Sequence, residues 1–269
     1  MWWIVTAVAF LLFAGLASIA ELVYQSRWQA IARGREATCA ELDELAATAR
    51  SAGGGEFFAD VVQVNGVTAE GPGEPLVAPL SGRKCVWWEF SVSRVYWQVP
   101  KEQSDKAKPT RQTHYVTGGR SEERFLVQDE TGSVAVSMGN DRPEGTTSSH
   151  HAAYARKELT KWSVREIPKE VLDAAAMTRD DSSTISYRID ERILPPGVPL
   201  FVHGEATDRA GQVVIGRPRK GGRLIVSVIG RNRLIADYKQ NQRLARAGRI
   251  ALLVIAGLSL LFYGLTLVF

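Results

Sequence analysis

The chain of 269 residues has 33 Lys and Arg against 29 Asp and Glu, a net charge of +4 and two cysteines, too few for a disulfide framework. The positive excess is local: residues 21–36 carry net +1 and residues 231–249 net +5, which leaves about −2 for the rest. A basic balance confined to two flanks argues against a nucleic-acid partner and for anionic lipid head groups.

Met1 to Ala20 carries no charge. As a helix rising about 1.5 Å per residue it would match the roughly 30 Å hydrocarbon core of a bilayer. No basic residue precedes it, whereas Arg27, Arg33 and Arg35 follow it. A cleaved secretory signal is the rival reading, with Ser18-Ile19-Ala20 as a small-residue cleavage site. The apolar run is long for such a signal and lacks a basic leader. Cleavage would reverse the topology argued below.

Arg27 to Arg50 is rich in Ala, Glu, Leu and Arg and lacks proline, which predicts a helix continuing the first span as a stalk. Gly53-Gly54-Gly55 ends it as a flexible joint. β character follows. Phe57 to Val64 reads as a strand ending at an Asn65-Gly66 turn, and Lys84 to Trp97 as the longest strand. Adjacent Trp87 and Trp88 must face opposite sides of it. Val99 to Thr110 reads as a solvated loop. Arg124–Gln128 and Ser133–Ser137 flank Asp129-Glu130-Thr131-Gly132 as a hairpin. Gly139 to Ser149 reads as a polar loop, and His150-His151 reads as part of a Ser/Thr/Gly-rich solvated loop, a pair that binds metal only weakly without further ligands. Glu158 to Ala176 mixes helix and strand signals and receives no assignment.

Thr184 to Ile193 alternates as a strand, Pro195-Pro196-Gly197 turns the chain, and Leu200–Ala206 and Gln212–Ile215 form a second hairpin. Arg223 to Ile229 is the last strand, and from Arg231 a helix leads into the charge-free run Ile250–Phe269. Arg231, Arg233, Lys239, Arg243, Arg246 and Arg249 precede that second span. Both basic flanks border the central segment, so the positive-inside rule places it in the cytoplasm with both termini outside.

The resulting expectation is an α+β protein. A β-rich antiparallel domain, a small barrel or OB-like fold, lies between two transmembrane helices; a sandwich is the alternative. The segments are a first span over 1–24, a membrane-proximal helix and glycine joint over 25–55, the β-rich domain over 56–230, a basic helix over 231–249 and a second span over 250–269. Gly15 with Ala14 and Ala17, and Gly257 and Gly264, let the spans pack together or against a second copy.

Three pieces resemble one family: Glu74-Pro75-Leu76-Val77-Ala78-Pro79-Leu80-Ser81-Gly82 before Cys85-Val86-Trp87-Trp88-Glu89; Phe125-Leu126-Val127-Gln128-Asp129; and Glu191-Arg192-Ile193-Leu194-Pro195-Pro196-Gly197 before Leu200-Phe201-Val202-His203-Gly204-Glu205. Their order inside a span–domain–span frame resembles the GIDE, or beside-a-membrane, family, best known from a mitochondrial outer-membrane ubiquitin ligase. The resemblance implies a RING-less, prokaryotic-type relative. A RING needs about eight Cys and His ligands for two zinc ions; two cysteines without paired spacing do not supply them.

Among site candidates, Glu191 matches the family's glutamate. It would anchor the Pro195-Pro196-Gly197 turn through backbone N–H groups or receive a cationic partner, with acid–base catalysis as the third reading. His203 and Glu205 alternate on one strand face and read as a cross-strand polar pair without a nucleophile. Arg217, Arg219, Lys220 and Arg223, in Gly216–Arg223, form a basic tip suited to anionic lipid, or else a merely solvated turn; the segment lacks the elements of a P-loop. No catalytic residue, metal set or cofactor motif is assigned. The expected function is a membrane-anchored binding or scaffold protein of a bacterial cell membrane, with an unidentified protein partner and no autonomous ubiquitin transfer. The alternatives are a ligase-like factor acting with a partner in trans, or an enzyme with an unrecognised site.

Overall fold

The charge-free runs form the cores of two long helices. The computed structural model describes residues 2–53, 58–98, 108–155, 183–209 and 211–268. It divides into two units, residues 1–36 with 229–269 and residues 37–228. In the first unit, α1 (Trp2–Arg33) and α3 (Arg231–Val268) are both long and apolar enough to cross a membrane, and β1 (Arg35–Glu36) follows α1. At 32 and 38 residues both helices exceed a bilayer core, and the excess carries the basic flanks.

α1 and α3 run antiparallel. Trp3 stacks on Phe262 at 5.8 Å, Glu21 pairs with Arg249 at 3.1 Å, and Trp28 Nε1 donates to Gln242 Oε1 at 2.8 Å. Small residues do line the packed faces, but they are Ala7, Ala14, Ala256 and Ser259, all buried. Gly15, Gly257 and Gly264 face open space instead, so the glycines are not what brings the helices together.

The second unit begins with α2 (Cys39–Ser51). The single helix expected from Arg27 to Arg50 is therefore two helices, split after Arg33. Thr38 opens α2 as an extended N-cap whose Oγ1 accepts Glu41 N–H at 3.3 Å, the local signal that propensity alone overlooks. Cys39, Leu42 and Ala46, at helical spacing, face the core.

Ten strands follow among the described residues: β2 (Ala59–Ala69), β3 (Trp87–Gln98), β4 (Thr110–Arg120), β5 (Phe125–Asp129), β6 (Gly132–Val136), β7 (Thr147–Ala155), β8 (Thr184–Leu194), β9 (Pro199–Arg209), β10 (Gln212–Gly216) and β11 (Ile225–Ser227). β2 pairs with β5, β5 with β6, β6 with β10, β10 with β9, and β9 closes back on β2. Only β6–β10 is parallel among these pairs. The result is a closed five-stranded Greek-key barrel of OB type, which removes the open edges of a small sheet. β11 extends β9 where β10 leaves it, Val226 opposite Val202.

The barrel core holds Val62, Val64, Phe125, Val127, Val134, Val136, Val202 and Ile215, with Leu42 and Ala46 of α2 and Trp87 packed into the same cluster. Both predicted hairpins are present as β5–β6 and β9–β10. The Asn65-Gly66 turn is not: β2 runs through both residues. A Cβ on Gly66 would stand 2.3 Å from the Gln128 carbonyl oxygen, so glycine serves close strand approach here rather than a turn.

A second antiparallel sheet, ordered β4-β3-β8-β7, grows from two excursions out of the barrel: β3 and β4 between β2 and β5, β7 and β8 between β6 and β9. One face buries Phe90, Val92, Tyr187 and Ile189 beside Leu80, and the other is polar. His150 and His151, expected in a loop, lie instead in β7 opposite Glu191 and Asp190. The Glu158–Ala176 segment, Gly54, Gly55 and most of the Val99–Thr110 stretch lie outside the described residues.

Candidate functional site

Glu191 lies on the apolar side of β8, between Ile189 and Ile193, fully buried. Its carboxylate accepts Leu80 N–H at 2.7 Å, Ser81 N–H at 3.1 Å and Ser149 Oγ–H at 2.7 Å. It thus ties β8 to β7 and to the 78–82 turn, which Gly82 closes at φ 64° by donating to the Ala78 carbonyl. The turn predicted for this role, Pro195-Pro196-Gly197, is held by Thr68. Thr68 Oγ1 donates to the Pro195 carbonyl at 2.7 Å and accepts Val198 N–H at 3.0 Å, and its own carbonyl accepts Gly197 N–H at 2.7 Å. No sequence pattern marked Thr68 beforehand; its partners lie about 130 residues away in the chain.

The basic segment joins β10 to β11, strands of the barrel sheet and not of the sheet that carries Glu191. Arg219 donates its backbone N–H to Glu205 Oε2 at 3.0 Å, with its guanidinium 3.8 Å from the same oxygen. Arg217 lies 3.8 Å from Asp141. Lys220 and Arg223 are exposed and have no acidic partner among the described residues. Glu205 therefore serves this loop rather than His203, and the expected His203–Glu205 pair is not formed. His203 is buried, its Nδ1 has no partner among the described residues, and burial holds the ring below its ordinary pKa.

The polar face of the β4-β3-β8-β7 sheet forms a groove of about 470 Å³. Strand alternation builds it. Arg188, Asp190 and Arg192 stand on one side of β8, and register places Glu89 opposite Arg192, Ser91 opposite Asp190 and Ser93 opposite Arg188. Across β3, Arg120 lies opposite Glu89, Gly118 opposite Ser91 and Tyr115 opposite Ser93. Glu89 binds Arg142 at 2.8 Å and Arg120 at 3.3 Å, and His151 Nδ1 contacts Asp190. Arg188 and Arg192 are exposed without an acidic partner among the described residues. The sequence reading missed this groove, because each arginine alone looks like an ordinary solvated strand residue. The groove presents hydrogen-bond donors and positive charge, the equipment for binding an anion.

The two thiols are poorly placed for chemistry. Cys39 is buried at the start of α2, and burial, with Asp129 nearby, pushes its pKa up to about 12. Burial and the Glu191 charge push Cys85 up to about 11. A thiol is nucleophilic as the thiolate, which is scarce for both near neutrality. Among the described residues no group of three or more His, Cys, Asp or Glu is arranged to hold a metal ion.

Comparison with known proteins returns one family. The GIDE model, described as E3 ubiquitin ligase, matches residues 97–262. That stretch contains the Phe125–Asp129 and Glu191–Glu205 motifs and starts after the Glu74–Glu89 motif. No curated protein and no solved structure matches the chain.

Proposed function

This chain belongs to the GIDE family, and from that premise we infer a ubiquitin-ligase-related membrane protein that binds or scaffolds a partner and leaves ubiquitin transfer to that partner. The observation that carries this is the state of the two cysteines: both are buried with strongly raised pKa values, and thioester relay requires an accessible thiolate. Zinc-bound recruitment of the RING kind needs a Cys/His constellation that two cysteines do not provide. The barrel and its appended sheet then form the binding module. The helices anchor it, and the basic flanks favour the cytoplasmic face. Lys220 and Arg223, exposed and without acidic partners among the described residues, suit anionic head groups.

The test reconstitutes the full chain in vesicles with ubiquitin-activating and ubiquitin-conjugating enzymes and ATP. The expected result is no ubiquitin transfer by the chain alone, while crosslinking in native membranes captures a protein partner equally with wild type and with Cys39→Ser/Cys85→Ser. Transfer by the isolated chain that disappears in either cysteine variant overturns the reading.

A further inference from the structure

We propose that the groove on the polar face of the β4-β3-β8-β7 sheet is a binding site for a phosphate monoester group. Four guanidiniums, from Arg120, Arg142, Arg188 and Arg192, line it against two carboxylates, Glu89 and Asp190. The excess is two positive charges, matching the charge of about −1.5 to −2 on a phosphate monoester at pH 7.

The charges are divided unevenly. Glu89 spends its carboxylate on Arg142 and Arg120, at 2.8 and 3.3 Å. Asp190 spends an oxygen on His151. What remains uncompensated among the described residues is Arg188 and Arg192, four residues apart on the same side of one strand. At about 3.3 Å per residue their Cα atoms stand roughly 13 Å apart. Arginine side chains reach several ångströms each, so both forks can converge on one group bound between them. Guanidinium forks match phosphate oxygens in bidentate geometry.

Neutral donors complete the set. Ser91 and Tyr115 line the same groove. Tyr115 is 60% exposed, and its hydroxyl lies 2.8 Å from where a Cβ on Gly118 would stand. The missing side chain at Gly118 thus gives the tyrosine hydroxyl its position beside the groove. A volume of about 470 Å³ lies within the range of small-molecule sites and accommodates a phosphorylated small molecule or a lipid head group. An extended acidic peptide would need a longer basic track than the two arginines that lack an acidic partner among the described residues. The inference does not depend on the scaffold reading: a phosphate site stands whether or not a protein partner exists.

The experiment uses the full chain in phosphatidylcholine nanodiscs and measures binding of two probes, glycerol 3-phosphate and dioctanoylphosphatidic acid, by calorimetry. Saturable binding of at least one is expected, weakened about tenfold or more in Arg188→Gln and in Arg192→Gln, and partly restored in Arg188→Lys. Both arginines are exposed, so circular dichroism and the thermal midpoint should stay unchanged. Competition by glycerol 3-phosphate identifies a free phosphorylated ligand; binding confined to dioctanoylphosphatidic acid identifies a lipid source. Either supports the site. Binding undiminished in both Gln variants overturns it, as does binding of neither probe at millimolar concentration, with or without binding of poly-glutamate.

Discussion

A buried carboxylate that accepts three hydrogen bonds depends on its charge and on being an acceptor at both oxygens. Glu191 meets Leu80 N–H, Ser81 N–H and Ser149 Oγ–H with those oxygens. Glu191→Gln keeps the shape but turns one oxygen into an NH₂ group facing donors. The expected cost is about 2–3 kcal/mol of unfolding free energy, from one buried donor left unsatisfied and two bonds deprived of charge assistance. Urea denaturation measures it, and a variant as stable as wild type would refute the anchoring role. Three buried groups, His203, Cys39 and Cys85, shape the pH dependence of stability. The neutral form of His203 is favoured by burial. It contributes stability that is present above 6.5, the ordinary histidine value, and lost as the pH falls through the depressed folded value. Cys39 and Cys85 are raised from 9.0 to about 12 and about 11. Their contribution is full below pH 9 and lost as the pH rises through those values. Denaturation midpoints should therefore form a plateau between about pH 6.5 and 9 and fall on both sides, the acid limb shrinking in His203→Gln. An unchanged acid limb in that variant would remove His203 from the account.

At the scale of elements, α2 is held at its N-terminus by the β5–β6 turn. Cys39 N–H donates to Asp129 Oδ2 at 2.9 Å and Ala40 N–H to Thr131 Oγ1 at 3.0 Å, beside the Thr38 cap. Asp129 Oδ1 also accepts from Thr131 Oγ–H at 2.6 Å, Thr131 N–H at 2.8 Å and Gly132 N–H at 3.1 Å, the hydroxyl being the strongest influence among them. Burial alone would raise this carboxyl, but these donors outweigh it and leave its pKa lowered. Asp129→Ala removes the docking and the turn bonds together, at an expected cost of roughly 1–2 kcal/mol. Amide exchange should accelerate first in Cys39–Ser51 while β9 stays protected; equal acceleration in both would show that the helix is not an independent element. The same elements show what sequence could reveal. Local signals sufficed for the hairpins, since alternation and the Asp129–Gly132 and Asp208–Gly211 turns lie within each segment. They failed at Asn65-Gly66, where a turn dipeptide is overridden by pairing with β9, distant in sequence. At Arg33–Thr38 the break is signalled locally, by Gly34 after the last helical residue and by the Thr38 cap, but helix propensity averaged over the window overlooks both. Glu191 could be singled out but not its partners, Leu80, Ser81 and Ser149, which come from two separate stretches of chain. The arginine groove was illegible for the same reason: Arg120 and Arg188 are brought onto one face only by the joining of two excursions from the barrel.

For the whole molecule, the folded state supplies a means of testing topology. The membrane frame rests on two helices able to span a bilayer and on basic residues concentrated at the ends facing the central segment. If the positive-inside rule governs this chain, the barrel domain is cytoplasmic. Glu130 is exposed at the β5–β6 turn, in a hairpin whose flanking strands fix its position without using its side chain. Glu130→Cys therefore introduces an accessible thiol at little cost to the fold. The two native cysteines provide a quiet background, because both are buried and protonated near neutral pH. A membrane-impermeant maleimide applied to intact cells should leave Glu130→Cys unlabelled and label it fully after permeabilisation, while wild type stays unlabelled in both. Labelling in intact cells would place the domain outside, as cleavage after Ser18-Ile19-Ala20 would. The basic flanks would then have to be explained by something other than orientation, and a partner in cytoplasmic ubiquitin chemistry would be out of reach.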